Sequence, residues 1–477
     1  MSDDIQLCIA GQWTKGAGGR TVPVLNPATG ETIGSVAVAE TADLDSALQA
    51  AATSFETWKK TSPLDRGKVL RKAAELLRER VETIAPIMTR QQGKILAEAR
   101  MEVMVSAEVL EWFAEEARRA YGRIVTPRIP GVYNLVLKEP VGVAVGFVPW
   151  NFGMGQAARK IGAALAAGCT IIIKGPEETP TSCSALMQVL LDAGLPTGVV
   201  SLVFGAPSEI SDYLIPHRTV RKVSFTGSTA VGKQLAALAG KHMKRFTAEL
   251  GGHSPVIVTK DVDIDAVAKL LCTFKYRNAG QVCTAPTRFL IEKDIFSPFV
   301  KQFTKYASEV KVGDGMKPDS MMGPMANQRR VTALESLIDD AKKHGAKVEL
   351  EGGRFGNQGF FFKPSVLSNV PTEARIMSEE PFGPVALMAS FTDVDEALAE
   401  ANRLDYGLAS YAFTRSMKVA EKVTSGFKSG MVSVNHFGIG PVELPFGGVN
   451  DSGYGSEGGL EAIESYLSTK TASQAMA

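Results

Sequence analysis

The sequence has little of what disulfide-built, membrane or nucleic-acid-binding proteins require. It contains five cysteines in 477 residues, with no Cys-x-x-Cys pair, so a disulfide framework or a zinc ribbon is not expected, and no metal site is predicted. The longest weakly polar run, Ile161 to Ile173, includes two glycines and is shorter than the roughly 20 residues that span a bilayer. Lys and Arg total 52 against 51 for Asp and Glu, which leaves no large basic face for nucleic acid.

The beginning of the chain carries no visible targeting signal. Met1-Ser2-Asp3-Asp4 is acidic and is not followed by an apolar stretch, as a secretory signal would require. A hydrophobic fraction of 45% and a charged fraction of 22% are ordinary for a soluble globular protein. These observations predict a cytoplasmic protein with free thiols and about three domains' worth of chain.

The order of short strands and helices predicts an α/β fold. After a β-rich start and helices near 43–58, 64–81 and 95–121, Val/Ile-rich strands alternate with helices from Val141 to about residue 239, and a second series runs from 255 to 434. Unbroken β-branched strands separated by helices are typical of parallel sheets that are covered on both faces. The sequence therefore predicts two doubly wound α/β domains with a boundary near Leu250-Gly251-Gly252.

A glycine-containing turn predicts an anion-binding helix start. Gly227 to Lys233 matches the first part of a P-loop, but Gln234 stands where Mg²⁺ binding needs Ser or Thr. A P-loop-like nucleotidase is thus the weaker alternative. A strand, a small-residue turn and a helix that begins at Ser228 or Thr229 would point free N–H groups at an anion, although an ordinary capped turn fits the local residues equally well. No GxGxxG fingerprint is present.

Three side chains are candidates for covalent chemistry. Cys283 lies between a predicted helix and strand, bracketed by Gly280 and Pro286, where a thiol can face a cleft. Glu249 ends an apolar strand, and partial burial there would raise its basicity. Asn151, which follows a strand, can donate its side-chain amide to a developing oxyanion. Each of these residues, taken alone, also fits an inert loop or turn position.

Taken together, the motifs resemble those of the aldehyde dehydrogenase superfamily, and the resemblance covers nearly the whole chain from Asn26-Pro27 onward. The matching strings, in family order, are Pro149-Trp150-Asn151-Phe152, Lys174-x-x-Glu177, Phe225-Thr226-Gly227-Ser228, Glu249-Leu250-Gly251-Gly252, Gly280-Gln281-x-Cys283, Glu379-Glu380-Pro381-Phe382-Gly383-Pro384 and Pro445-Phe446-Gly447-Gly448. The resemblance implies NAD(P)⁺-dependent oxidation of an aldehyde. It also implies a cofactor-binding domain (1–120 and 141–250), a catalytic domain (251–445) and a small β oligomerisation arm (121–140 and 446–477) in a homodimer or homotetramer.

The resemblance also implies a role for each matched residue. Cys283 is the nucleophile and requires a site that favours its thiolate; the Asn151 amide and the Cys283 N–H bind the oxyanion, and Glu249 activates the water that hydrolyses the thioester. Glu177 favours NAD⁺ over NADP⁺ because its carboxylate repels a 2′-phosphate, although Lys174 could tolerate one. The implied cofactor-binding residues are Val148, Pro149, Trp150, Lys174, Glu177, Gly205, Phe225, Gly227, Ser228, Val231, Leu250, Glu380 and Phe382.

The substrate class depends on two arginines. Arg159 and Arg277 align with arginines that bind the distal carboxylate in succinic semialdehyde dehydrogenases, so a succinic or α-ketoglutaric semialdehyde is the first expectation, with Phe152 and His436 as further substrate contacts. The serine that completes that carboxylate pocket is missing from Gly440 to Leu444. An aromatic or broad-specificity aldehyde dehydrogenase therefore remains the alternative. A CoA-acylating enzyme and a non-catalytic relative are disfavoured by Glu249 and by the intact set of Cys283, Glu249 and Asn151.

Overall fold

The computed structural model describes residues 4–475, so the first three and last two residues of the predicted domains lie outside the described range. The helices within this range are α1 (Thr41–Trp58), α2 (Pro63–Glu79), α3 (Val81–Gln92), α4 (Leu96–Glu116), α5 (Gly153–Ala167), α6 (Pro180–Asp192), α7 (Pro207–Leu214), α8 (Thr229–Lys241), α9 (Ile264–Tyr276), α10 (Phe296–Ser308), α11 (Gln328–Lys343), α12 (Val394–Ala401), α13 (Met417–Gly426) and α14 (Gly459–Glu464). None of these helices is long and apolar enough to cross a membrane.

The strands range from two to nine residues. They are β1 (Asp4–Ile5), β2 (Leu7–Ile9), β3 (Gln12–Thr14), β4 (Thr21–Leu25), β5 (Thr32–Ala37), β6 (Arg123–Val125), β7 (Val132–Pro140), β8 (Val143–Phe147), β9 (Thr170–Lys174), β10 (Val200–Val203), β11 (Val220–Thr226), β12 (Arg245–Glu249), β13 (Pro255–Val258), β14 (Arg288–Glu292), β15 (Lys347–Leu350), β16 (Gly353–Arg354), β17 (Phe362–Lys363), β18 (Ser365–Ser368), β19 (Val385–Phe391), β20 (Tyr406–Gly407), β21 (Ala409–Phe413), β22 (Met431–Val434), β23 (Val449–Asn450), β24 (Gly453–Tyr454) and β25 (Leu467–Ala475).

The larger sheet has eight strands in the order β24-β12-β11-β8-β9-β10-β2-β3. Its five central strands, β8 to β12, run parallel. The chain moves from β8 outward to β10 and then returns to the other side of β8 to form β11 and β12. The strand order therefore reverses beside β8, and a crevice opens at such a point beyond the carboxyl ends of the strands.

The helices of the first half bury the larger sheet. Strands β8, β9 and β10 are buried at every position, as expected for Val/Ile-rich strands covered on both faces. Helix α5 is buried along almost its whole length and packs between the sheet and helix α4, while α2 packs on α4, α5 and α6. This packing fixes the start of α5, where the Asn151 loop ends.

The second sheet has seven strands in the order β15-β18-β19-β14-β13-β21-β22, all parallel except β15. Its core is separate from that of the larger sheet, with buried residues from Val256 to Phe446. The core of the larger sheet runs from Ile5 to Leu250 and adds a few residues from the last 40. Both α/β units of the predicted fold are present, and the chain passes from one sheet to the other near residue 250.

The last thirty residues differ from the prediction, which assigned all of 446–477 to the arm. Only β25 pairs with β7, next to β6, to form a three-stranded antiparallel sheet. Strand β24 instead pairs with the end of β12 in the larger sheet, and α14 packs on α5. The sequence missed this because a two-residue strand leaves no periodic pattern.

Candidate active site

The carboxyl ends of the parallel strands bring most of the predicted cofactor-binding residues to one edge of the larger sheet. Phe147 pairs with both Lys174 and Phe225, and Thr226 pairs with Glu249. The segments that follow these positions therefore lie side by side. They carry the predicted residues Val148, Pro149, Trp150, Gly205, Gly227, Ser228 and Leu250.

At this edge, Lys174 and the Gly205 N–H hold the Glu177 carboxylate in place. The Glu177 carboxylate accepts hydrogen bonds from the Lys174 ammonium at 2.7 Å and from the Gly205 N–H at 2.7 Å. Glu177 and Gly205 also line a cavity of about 620 Å³ with Val38 and Pro207. A held carboxylate beside a pocket of this size suits the hydroxyl groups of an adenosine ribose.

The start of α8 offers free main-chain donors. Ser228 is the N-cap residue, and its side chain makes no capping hydrogen bond, so the N–H groups of the first turn remain available to an anion. Gly227 leaves room for the ring of Phe225, since a Cβ there would lie 2.5 Å from it. Val231 is exposed in the same turn, while Leu250 is buried. The helix start predicted from the sequence is thus confirmed in position.

Glu380 and Phe382 reach the same crevice from the second unit. The rings of Trp150 and Phe382 meet edge to face with centroids 5.7 Å apart, so a contact across the crevice joins the two units. The Glu380 carboxyl lies over Gly251, where a Cβ would be 2.4 Å from its oxygen. Burial raises the pKa of Glu380 to about 7, against the opposing effects of the Gly252 N–H and Arg330.

Cys283 follows a strained stretch of backbone. Asn278 and Ala279 both have left-handed backbone angles, with φ of 48° and 54°, and Gly280 follows at 71°. Left-handed non-glycine residues cost roughly 1–3 kcal/mol each and persist where surrounding contacts hold them. Gln281 provides such contacts, since its side chain donates to the Asn278 carbonyl and accepts from the Ala326 N–H.

Cys283 is partly exposed as a residue, whereas the other four cysteines, all within the described range, are buried. Burial of the sulfur, followed by the carboxyls of Glu380 and Glu249, raises its pKa to about 12, and Arg277 opposes this shift. The direction of this shift runs against the expectation that the site favours the thiolate. Dehydration and the two carboxyls outweigh the guanidinium of Arg277.

Glu249 is a buried carboxyl with no hydrogen-bond partner on either oxygen among residues 4–475. Burial and then the carboxylate of Glu457 raise its pKa well above the ordinary value, while Lys160 and Arg159 oppose this. Its position at the end of β12, close enough to influence the pKa of Cys283, leaves both oxygens free for a water or a substrate proton.

The sequence reasoning missed a buried ion pair beneath Glu249. Lys160 on α5 pairs with Glu457 and donates to Thr226 at 2.6 Å, and Ser224 donates to the same Glu457 oxygen. The two charged residues are 297 positions apart. The available signal was Lys160 directly before the apolar stretch that completes this helix, because a lysine that is buried needs a partner for its charge.

The Asn151 side chain points toward the Cys283 loop. Its amide nitrogen donates to the Gln281 carbonyl at 3.0 Å, and the residue is buried. The Asn151 carbonyl accepts from the Lys94 ammonium at 2.7 Å and from the Asn278 side chain at 3.3 Å. The structure therefore brings Asn151, Cys283 and Glu249 together, as the predicted roles require.

Arg277 lies beside the thiol with a free guanidinium. It is exposed, and no hydrogen bond or ion pair joins its side chain to the part of the chain that the structure describes. The central carbon of its guanidinium lies 5.7 Å from the centroid of the Phe152 ring and 5.8 Å from that of the Phe274 ring. Phe437 stacks on Phe274 at 3.9 Å between centroids, so the cation is set among aromatic rings.

Arg159 does not present such a free group. It is buried, and its two terminal nitrogens donate to the Glu457 carbonyl at 3.0 Å and the Gly440 carbonyl at 2.9 Å. Two of the five guanidinium N–H groups therefore hold two backbone segments together, and the substrate contact of Arg159 stays a prediction. His436 is exposed, and its ring accepts the Gly438 N–H at 2.9 Å.

Two positions without a sequence-based role have packing roles. His253 is fully buried between the Thr287 hydroxyl (2.8 Å) and the Ile376 carbonyl (2.9 Å). Burial, then Arg288, lowers its pKa to about 3, so the ring is neutral; its Nε2–H donates to the carbonyl and its Nδ1 accepts from the hydroxyl. At Gly175, a Cβ would lie 2.4 Å from the Phe204 ring.

Comparison with known proteins covers nearly the whole chain. The aldehyde dehydrogenase family model matches residues 13–472. The chain is 45% identical to a 4-(hydroxymethyl)benzenesulfonate dehydrogenase of Comamonas testosteroni, over 98% of this chain and 97% of that protein. A crystal structure of a succinate-semialdehyde dehydrogenase from Burkholderia pseudomallei superimposes with a TM-score of 0.96 at 37% identity, covering 99% and 98% of the two chains. A betaine aldehyde dehydrogenase of Staphylococcus aureus, solved with NAD⁺, gives 0.95 at 33%, covering 98% and 94%.

Proposed function

Because the chain belongs to the aldehyde dehydrogenase family, we propose that it oxidises an aldehyde that carries a distal negative charge, with NAD⁺ as the electron acceptor, and releases the free acid. The first substrate candidate is a succinic or α-ketoglutaric semialdehyde. The observation that carries the proposal is the free guanidinium of Arg277 beside the Cys283 thiol. An arginine whose guanidinium N–H groups make no hydrogen bond to the described residues can form charge-assisted bonds with a carboxylate.

The residues around the aldehyde have complementary tasks. The Cys283 sulfur attacks the carbonyl carbon, and the oxygen that becomes negative meets the Asn151 amide. Because the pKa of the thiol is raised, its proton must pass to a base as the bond forms. Glu249, with two unpartnered oxygens, can accept that proton, release it to solvent, and then as a carboxylate accept one from the hydrolytic water.

The crevice fits a dinucleotide such as NAD⁺. The uncapped start of α8 suits a pyrophosphate, Glu177 beside the cavity suits the adenosine ribose, and Glu380 beside Gly251 suits the second ribose. When bound, the cofactor supplies the hydride acceptor of the reaction. Relatives solved with NAD⁺, such as the betaine aldehyde dehydrogenase, support this choice, and the Glu177 carboxylate favours NAD⁺ over NADP⁺.

A second candidate is an aromatic aldehyde, with or without an anionic substituent. Phe152 and Phe274 flank Arg277, and Phe437 packs on Phe274 and on Tyr411. Aromatic rings favour stacking with a planar substrate. The similarity to a dehydrogenase of a hydroxymethylbenzenesulfonate supports an aromatic substrate that bears an anion.

The test is a panel of aldehydes with purified enzyme. Succinic semialdehyde and butanal differ by one carboxylate, and 4-formylbenzenesulfonate and benzaldehyde differ by one sulfonate. We expect kcat/KM to be higher for the charged member of each pair, and the better pair identifies the substrate skeleton. Equal efficiency within both pairs would contradict recognition of a distal anion.

We also propose that the arm sheet mediates self-association. Strands β6 and β7 expose Ile124 (75%), Tyr133 (49%) and Leu137 (38%), and β6 is the edge of a sheet. Exposed apolar edge strands are suited to pairing with another chain. Analytical ultracentrifugation of wild type and Ile124→Lys should show a homodimer or homotetramer that the substitution weakens; a wild-type monomer would refute the proposal.

A further inference from the structure

The Lys94 ammonium is buried beneath the Asn151 loop. The residue is 1% exposed, and its ammonium has three contacts: the Glu102 carboxylate at 2.5 Å, the Asn151 carbonyl at 2.7 Å and the face of the Phe152 ring, 4.1 Å from its centroid. The three N–H directions of an ammonium are thereby used. A single side chain thus holds two consecutive residues of the loop that forms one wall of the reaction site.

Glu102 fixes the other end of the same loop. One carboxylate oxygen receives Lys94, and the other accepts the Met154 N–H at 3.0 Å and the Gly155 N–H at 3.3 Å. These N–H groups belong to the first turn of α5, which lacks intrahelical acceptors. The ion pair therefore ties the beginning of α5 to the main chain of Asn151.

Glu98, one turn earlier on α4, reaches the opposite wall. Its carboxylate accepts the Asn278 N–H at 2.9 Å, at the first left-handed residue of the strained stretch before Cys283. Residues four apart lie on the same face of a helix, so Glu98 and Glu102 contact the Cys283 loop and the Asn151 loop from one rigid element. The gap between the nucleophile and the amide depends on this element.

We propose that Lys94 is a positioning residue for the reaction, which acts through Asn151: held by Glu102, it sets the place of the Asn151 amide relative to the Cys283 sulfur. The inference rests on the proposed role of Asn151 in binding the oxyanion. Removing the ammonium leaves the Asn151 carbonyl without a buried charged donor and frees the loop. The amide then moves away from the position at which it meets the developing charge.

The experiment is a double-mutant cycle with single-turnover kinetics. Lys94→Met, Asn151→Ala and the double variant are mixed with saturating NAD⁺ and aldehyde, and NADH formation is followed at 340 nm. We expect Lys94→Met to slow the single-turnover rate by about 10- to 100-fold. A shift of the Asn151 amide by up to about 1 Å is enough for a rate loss of this size. The dissociation constant for NAD⁺ should change less than about twofold, because the cofactor residues do not touch Lys94.

The cycle separates positioning from general support of the fold. If Lys94 acts through Asn151, Lys94→Met has little further effect in the Asn151→Ala background. Multiplicative losses would show that Lys94 acts by another route and would overturn the inference, as would an unchanged rate in Lys94→Met. If Asn151→Ala is itself fully active, the proposed role of Asn151 fails instead, so the two failures can be told apart.

Lys222 provides a matched control for the removal of a buried lysine. It is also 1% exposed, donates to the Thr247 hydroxyl at 2.6 Å and lies 4.7 Å from the Tyr466 ring centroid. Lys222→Met should lower the melting temperature and keep the single-turnover rate. Where Lys94→Met does not fold, Glu102→Gln retains the shape of the side chain and removes the charge that holds Lys94; it should show the same rate loss and the same coupling to Asn151.

Discussion

The Asn151 side-chain nitrogen donates to the Gln281 carbonyl at 3.0 Å, two residues before Cys283. A side-chain amide has two N–H groups, so one is committed to the loop of the nucleophile and the other is left for the substrate oxygen. The same bond crosses from the first α/β unit to the second. A direct contact between the two loops therefore contributes to the distance between the oxyanion donor and the nucleophile, together with the support from Lys94 and Glu102.

The reactivity of Cys283 should depend steeply on pH in the cofactor-free enzyme. Since its pKa is raised to about 12, the thiolate fraction and the rate of alkylation by iodoacetamide should rise about tenfold per pH unit from pH 7 to 9. Mass spectrometry should find the label on Cys283 before the four buried cysteines. A rate that levels off near pH 8 would contradict the raised pKa. In Arg277→Ala, alkylation should be slower still, because the guanidinium lowers this pKa.

Glu249→Gln should stop the reaction after one turnover. The amide cannot take a proton from the thiol or from water, so acylation should be slower than in the wild type, and the thioester on Cys283 should accumulate while NADH levels off at about one equivalent per active site. Stopped-flow absorbance and intact-mass measurement of the acylated chain check this. Glu421→Gln, at an exposed position of α13, is the control and should turn over steadily. Steady turnover in Glu249→Gln would exclude it as the hydrolytic base.

Arg277→Ala should raise KM for charged aldehydes by about 10- to 100-fold, the equivalent of roughly 1.5–3 kcal/mol for a charge-assisted hydrogen bond. The KM values for butanal and benzaldehyde should change much less. Arg277→Lys keeps the charge without the planar fork, and an intermediate KM is expected. An equal effect on charged and neutral aldehydes would argue against an anion contact.

Arg159→Ala should mainly lower the free energy of unfolding. It leaves the carbonyls of Glu457 and Gly440 without their donors. The cost is roughly 1–3 kcal/mol for the buried Glu457 carbonyl and smaller for Gly440, which is exposed. Chemical denaturation of wild type and variant measures this cost. A stable variant with a KM defect confined to charged aldehydes would restore the substrate role predicted from sequence.

Glu177→Gln should weaken the preference for NAD⁺. Removing a carboxylate near the ribose removes the repulsion of a 2′-phosphate and frees Lys174 from its ion pair. The ratio of the NADP⁺ to the NAD⁺ catalytic efficiency should rise by roughly 10- to 100-fold. Two negative charges about 4 Å apart repel each other by a few kcal/mol near a protein surface. An unchanged ratio would place the discriminating group elsewhere.

His253 should make the fold sensitive to acid. The pKa of His253 is about 3 in the folded protein, against an ordinary value of 6.5. The contribution of the neutral ring to the free energy of unfolding is therefore complete above pH 6.5 and is lost as the pH falls toward 3. Between pH 7 and 5 the loss is about 2 kcal/mol. The difference in unfolding free energy between wild type and His253→Asn should shrink by this amount over that range. A difference independent of pH would contradict the neutral buried ring.

The sequence was most informative where the relevant residues are neighbours in the chain. The ends of β11 and β12 and the start of α8 were predicted to within a few residues, because Val/Ile runs followed by glycine mark where buried strands end. The helix predicted near 43–58 begins at Thr41 instead, and Asp43 accepts the Glu40 N–H at 2.9 Å from inside its first turn. Such a shift of a few residues is typical of helix boundaries.

Residues whose partners are distant in the chain were missed. Lys94 and Glu457 each depend on contacts that only the folded chain creates, and nothing in the local sequence shows them. Glu102 did leave a signal, since it occupies the apolar face of α4 with Ala99 and Ser106. Arg159 shows the opposite case: its alignment with a substrate residue does not reveal that backbone carbonyls take its donors.

The position of Glu457 joins distant parts of the chain beneath Glu249. Lys160 and Ser224 contact the same Glu457 carboxylate oxygen, and Lys160 lies 297 positions away from it in the sequence. From the same segment, β24 pairs with the end of β12 beside Glu249. A deletion or insertion that displaces residues 453–457 should therefore impair both the packing of the larger sheet and the surroundings of the proposed base.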